Sequence, residues 1–294
     1  MRGRTPLHAW IGLGLVVIFW GLNWVYPGLR THWCFFFLWL GYCLVVDGLV
    51  FIRKGTSLLT RNPKAYAGLF IASVPGWWLF ELINLRVQNW EYLGAEAFDP
   101  IQYLLLTSLS FSTVMPAVFG TAELASTFPW LKRKRLGWRI KPDRRTTLIF
   151  FAAGWIMLGL LLLYPRIFFP FVWLSVYFIF EPINIWLGHR SLADYTAKGD
   201  WSPMYALWTG VIITGFFWEM WNYYAFPKWV YHVPYVDFLH IFEMPILGYG
   251  GYLPFSMELF ALYHLLIGLL KADWLRDYVQ IAPQTPEQKT KTAS

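Results

Sequence analysis

The chain has 294 residues, 57% of them hydrophobic, 21% aromatic and only 14% charged, where a soluble domain carries about 25% charged residues. This composition excludes a disordered chain and an ordinary soluble fold. A mean hydropathy of +0.43 with 19 Trp points to an integral membrane protein with interfacial aromatic belts. The net charge of +7 is explained by loops flanking apolar runs, which excludes nucleic acid as a partner and leaves the lipid bilayer.

In chain order, residues 1–9 form a short N-terminus with Arg2 and Arg4, followed by an apolar run from Trp10 to Tyr26. The pair imitates a secretory signal, but it runs long and ends in Asn23-Trp24 without a small-residue cleavage site, so a retained first span is expected. Further apolar runs fall at 34–52, 66–84, 101–125, 147–164, 167–187, 204–224 and 238–270. The last is too long for one straight span and holds Gly248, Gly250, Gly251 and Pro254, read as a break between half-helices. The expectation is therefore an all-α polytopic bundle of eight to nine helices. Continuous apolar runs, rather than period-2 alternation, argue against a barrel. Cys34 and Cys43 lie within one run in no metal or redox spacing, so no disulfide framework is implied.

Between the fourth and fifth runs lies a basic linker, 126–146, whose segment KRKRLGWRIKPDRR at 132–145 is expected to set topology and to meet anionic lipid headgroups. The tail, 271–294, is polar and expected to be disordered. With the N-terminus inside, 20 of the 24 basic residues fall in inside segments, so the positive-inside rule places both termini in the cytoplasm.

Self-similarity is visible at a nearly constant offset. Trp39 and Trp173, and Asp47 and Glu181, are each 134 residues apart; Glu81-x-x-Asn84 and Glu219-x-x-Asn222 are 138 apart; Trp90-x-Tyr92 and Trp229-x-Tyr231 are 139 apart. Two membrane repeats, 10–125 and 147–270, are implied. Four runs in each make them parallel repeats of four helices, related by an axis along the membrane normal.

Of 17 acidic residues, seven fall within the runs: Asp47, Glu81, Glu123, Glu181, Glu219, Glu243 and Glu258. No Lys or Arg accompanies them there. A carboxylate in hydrocarbon costs at least a few kcal/mol, so these groups face the bundle interior or a cavity and mark candidate sites. In Glu81/Asn84, Glu181/Asn184 and Glu219/Asn222 the i, i+3 spacing puts amide and carboxyl on one helix face, where one can donate to the other.

The halves differ at His240, Glu243 and Glu258, which match Gln102, Leu105 and Gly120. The candidate catalytic set is accordingly Glu219, Asn222, His240 and Glu243, with Glu181, Asn184, Glu258 and His264 as secondary candidates. His240 and Glu243 are expected at i, i+3 on one helix face. Such a pair can ligate Zn or Fe, or a protonated Glu can act as a general acid beside aromatic faces that stabilise a cation. Metal and cofactor identity stay open. No diphosphate-Mg motif, Walker loop or Rossmann glycine pattern is present. Carboxyls and aromatics in a duplicated bundle resemble, in outline, the membrane carotenoid cyclases. The expected function is an intramembrane enzyme acting on a lipid or isoprenoid-like substrate by acid/base or metal-assisted chemistry. The alternative is a transporter or channel coupling protons or cations through its intramembrane carboxylates.

Overall fold

The computed structural model describes residues 5–132 and 138–282. Residues 133–137 of the basic segment, and the tail from 283, lie outside the described residues. The described chain is mostly helical because its long apolar runs contain few breakers and must satisfy every backbone polar group internally. The first half builds α1 (Leu7–Val25), α2 (Cys34–Lys54), the single turn α3 (Leu58–Arg61), α4 (Pro63–Val87), strand β1 (Trp90–Leu93), α5 (Pro100–Phe111), α6 (Val114–Ser126) and the short α7 (Pro129–Lys132). The second builds α8 (Arg144–Leu163), the turn α9 (Pro165–Phe168), α10 (Val172–Trp186), the turn α11 (Ala193–Thr196), α12 (Ser202–Asn222), strand β2 (Lys228–Tyr231), a minimal hairpin of β3 (His240–Ile241) and β4 (Met244–Pro245), and α13 (Tyr252–Leu269).

Seven helical stretches among the described residues are long and apolar enough to cross a membrane, which fits an integral membrane protein: Leu7–Val25, Cys34–Lys54, Pro63–Val87, Pro100–Ser126, Arg144–Leu163, Pro165–Trp186 and Ile246–Leu269. α12, at 21 residues, is as long, but Trp, Asn, Glu and Ser lower its hydropathy. α2, α4, α6, α10, α12 and α13 form the centre, where Trp39, Phe80, Phe119, Trp221, Phe255 and Phe260 are fully buried. α1 and α8 flank it, packed on α2 and α10. Close helix approach depends on glycine: a Cβ on Gly210 of α12 would lie 2.6 Å from the backbone nitrogen of Ala122 in α6. Gly210→Leu should therefore separate α6 from α12 and destabilise the fold by about 1–3 kcal/mol, read as a lower unfolding temperature in detergent.

Three expectations need correcting. The run 101–125 is two helices, broken at Ser112-Thr113, and Ser73 of α4 occupies the break: its Oγ donates to Phe111 O at 2.6 Å and accepts from Met115 N at 3.1 Å. The run 238–270 is not helical from its start. His240 and Glu243 sit in the β3–β4 hairpin and its turn, and residues 246–251 form a 3₁₀ stretch that leads into α13, so GYGGY does not join two half-helices. Leu239 and Phe242 adopt positive φ, a left-handed backbone that no α-helix accommodates, and Pro245 follows.

The polar tail, lastly, is docked as far as Ala282. Val279 and Ile281 are fully buried, Tyr278 OH donates to Leu58 O at 2.7 Å, and Arg190 Nη1 donates to the carbonyls of Arg276 and Val279 at 3.0 Å. Three apolar side chains set among polar ones are enough to anchor it.

Candidate functional site

At the end of the bundle away from α3, the two halves exchange one strand each. β1 pairs antiparallel with β2, Trp90 opposite Tyr231 and Tyr92 opposite Trp229, so four aromatics share one face of a short ribbon. Each strand is tied to the helix before it by an asparagine. Asn84 Nδ2 donates to Trp90 O at 2.8 Å while its Oδ1 accepts from Asn89 N at 2.9 Å. Asn222 Nδ2 donates to Trp229 O at 2.7 Å while its Oδ1 accepts from Trp229 N at 2.9 Å. The expected amide-to-carboxyl contact within each Glu-x-x-Asn is therefore absent, because the backbone leaving the helix needs the amide. Asn222→Ala removes both bonds of its clamp, each worth about 0.5–1.5 kcal/mol. The expected result is a lower unfolding temperature and faster hydrogen exchange at Trp229.

The glutamates are held by the ribbon instead. Glu81 Oε1 accepts from Trp77 Nε1 at 2.8 Å, Trp90 Nε1 at 3.0 Å and Tyr92 OH at 2.6 Å. Glu219 Oε1 accepts from Tyr231 OH at 2.7 Å and Tyr252 OH at 2.5 Å, Tyr231 in turn accepting from Trp229 Nε1 at 2.9 Å. Glu219 is fully buried, and its Oε2 has no hydrogen-bond partner. Burial first, then the adjacent carboxyl, pushes the Tyr92 and Tyr231 phenols well above their ordinary range. Both stay protonated donors at physiological pH.

The aromatic partners of the two glutamates line a cavity of about 440 Å³. Trp77, Trp90, Tyr92, Trp229, Tyr231 and Tyr252 contribute to its wall, with Trp173 stacked on Trp90 at 6.0 Å. Gly251 allows the 3₁₀ stretch to lie against Trp173, since a Cβ there would meet the indole at 2.8 Å. The size is that of a small-molecule site, and the lining offers apolar contact, π faces and a few hydroxyls.

Among the sequence candidates, the structure places Glu219 behind Tyr231 and Tyr252 of the cavity wall and Asn222 behind Trp229, and leaves His240 and Glu243 away from Glu219's hydrogen-bond network. His240 is exposed and bonded to Asp237 Oδ1 at 2.7 Å, and Glu243 is ion-paired with Lys228. Glu181 accepts from Ala193 N at 2.9 Å, just as Asp47 accepts from Leu59 N at 2.9 Å and Ser57 Oγ at 2.6 Å; each fastens the turn that follows its helix. Asn184 Nδ2 donates to Ala261 O at 2.8 Å and joins α10 to α13. Glu258 and His264 are buried on α13, Glu258 against the backbone of Val176 and Tyr177 and one turn below Pro254 of the cavity wall, His264 edge-on to Phe260 and Tyr263.

The expected lack of cations near the carboxyls does not hold for Glu123, whose Oε1 accepts from Arg61 Nη2 at 2.5 Å and whose Oε2 lies 3.9 Å from Lys54. Among the described residues no three His, Cys, Asp or Glu side chains converge as a metal ligand set. Sequence reasoning missed Tyr231 and Tyr252 as partners of Glu219, although Trp229-x-Tyr231 was visible as a repeated motif. Comparison with models of known families, with characterised proteins and with solved structures finds no match for this chain.

Proposed function

We propose that the protein is an intramembrane enzyme acting on a lipid or isoprenoid-like substrate by acid/base chemistry. The observation that carries the reading is the aromatic cavity in which the Tyr231 and Tyr252 hydroxyls both end on buried Glu219. An apolar ligand there meets π faces that stabilise positive charge. Tyr252 or Tyr231 exchanges a proton with the ligand while Glu219 takes up or supplies the balancing proton. Glu81 is the weaker counterpart: two of its three donors are indoles, which donate but cannot accept and pass on a proton. Extraction of lipids from purified wild-type protein, and comparison of lipid extracts from cells with and without it, test the reading. A co-purifying unsaturated lipid and a changed product profile support it. Unchanged extracts would sink it.

We place the site between two parallel four-helix repeats, with α12 as an eighth crossing and both termini cytoplasmic. The paired devices Asp47/Glu181, Asn84/Asn222 and Glu81/Glu219, together with the one-strand-each ribbon, support the duplication. The basic segment 132–145 then meets anionic headgroups of the inner leaflet. Cysteines placed at Thr60 and Asp194, exposed positions at the same 134-residue offset, should label from the same face.

The transporter reading is favoured by one observation: Glu258 and His264, six residues apart and so about 9 Å along α13, are buried ionisable groups outside every salt bridge among the described residues. Proton uptake by proteoliposomes that is lost in Glu258→Gln would support it over the enzyme.

A further inference from the structure

A second concavity runs along the side of the bundle, from Trp20 and Trp221 toward Phe128 and Trp130. It encloses about 500 Å³ between α1, α2, α6 and α12, with Leu13, Leu49, Leu124 and Ile213 among its walls and Phe128 and Trp130 at one end. Tyr42 OH lies 2.8 Å from Thr121 Oγ1, which bonds Ala117 O at 2.7 Å, and the indole without a hydrogen-bond partner, that of Trp221, is fully buried at the opposite end, so the groove offers its occupant mainly hydrocarbon contact. Leu13, Leu49 and Ile213 are exposed along it, the first two on α1 and α2, which are long and apolar enough to cross a membrane. Left empty, such a surface forfeits the dispersion contacts that close-packed side chains make.

A cation stands at the Phe128 end. The Arg53 guanidinium lies 3.9 Å over the Phe128 ring, and its Nε donates to Thr127 Oγ1 at 2.6 Å. Arg53 is exposed, at the last turn of α2, and these contacts hold its charge at the groove's end rather than letting it sweep the surface.

We propose that this groove holds one acyl chain of an anionic phospholipid whose phosphate meets Arg53. An apolar slot ending in a fixed guanidinium is complementary to a chain joined to a phosphate, and guanidinium matches phosphate oxygens in geometry as well as charge. The inference rests on the protein's lying in a bilayer and is independent of the chemistry at Glu219.

The test uses the full-length protein in nanodiscs of dioleoylphosphatidylcholine with a minor share of dioleoylphosphatidylglycerol, and counts retained lipids by native mass spectrometry. Wild type should retain one phosphatidylglycerol in preference to phosphatidylcholine. Arg53→Gln should reduce that preference about fivefold, the effect of one cation near an acidic headgroup. Leu49→Trp, which fills the groove from an exposed position, should abolish retention of both lipids, whereas Leu82→Trp on the exposed face of α4 should not. Should Leu49→Trp fail to fold, Leu13→Trp takes its place. Equal retention of the two lipids by wild type, an unchanged preference in Arg53→Gln, or undiminished retention in a folded groove-filling variant would each overturn the proposal. Glu219→Gln should retain the phospholipid like wild type, so failure of the catalytic reading and failure of this one are distinguishable.

Discussion

Glu219→Gln should reduce turnover by about 10²–10⁴, the range removed with a positioned general acid or base, while the variant remains folded and resident in the membrane. Gln keeps an oxygen where Tyr231 and Tyr252 donate, so the local hydrogen bonds survive. It cannot, however, gain and release a proton across the cycle. Tyr252→Phe should also impair turnover, because its hydroxyl is one of the two that link Glu219 to the cavity. Glu81→Gln should cost much less, since indoles dominate its partners. His240→Ala, whose imidazole lies outside on the hairpin with Asp237, should leave turnover within about twofold of wild type, below the contribution of a general acid or base. The comparison is made on lipid extracts of cells expressing each variant, normalised to folded protein. Equal losses in Glu81→Gln and Glu219→Gln would remove the assignment of chemistry to the second half.

Arg61→Ala should be the most destabilising single change, by about 3–5 kcal/mol, the usual cost of stranding one member of a buried ion pair. Glu123 is fully buried on α6, and Arg61, the last residue of α3, is its nearest cation. Glu123 Oε1 also accepts from Gln280 N at 2.5 Å, so the loss should spread to the docked tail. The double variant Arg61→Met/Glu123→Met should recover much of the stability, because it removes both charges and leaves apolar bulk. Unfolding temperatures of the two single variants and the double in one detergent give the coupling directly. Additive losses would show that the pair does not act as a unit.

The helices were legible because length and unbroken apolar character are the same property that a bilayer demands. The aromatic ribbon was visible only as a repeated Trp-x-Tyr. Four-residue strands carry too little alternation to announce themselves, and their pairing joins residues 139 apart in register along the chain. His240 and Glu243 were misplaced for a definite reason. Their spacing and apolar neighbours suit a helix, but Pro245 and the backbone at Leu239 and Phe242 turn the chain into a hairpin first. Arg61 falls between the apolar runs 34–52 and 66–84, where nothing in the sequence marks it as a partner of Glu123. A single helical turn, N-capped by Ser57 and fastened by Asp47, folds it back beneath the span to reach Glu123. Contacts of this kind depend on where a short connection returns, which neither periodicity nor composition encodes.

The ribbon and the docked tail lie at opposite ends of α4, and both cross the seam between the parts of the chain before and after residues 133–137. At one end four residue pairs are laced strand to strand; at the other, residues 276–281 are held by Leu58 and Glu123 on one side and by Arg190 on the other. A frame riveted at both ends resists scissoring. Rocking one half against the other would unlace the ladder, part Trp90 from Trp173 and lift Val279 and Ile281 from their sockets. Traffic to the cavity therefore falls to motions smaller than a half of the molecule, those of single aromatic side chains or of the 233–251 segment that covers it.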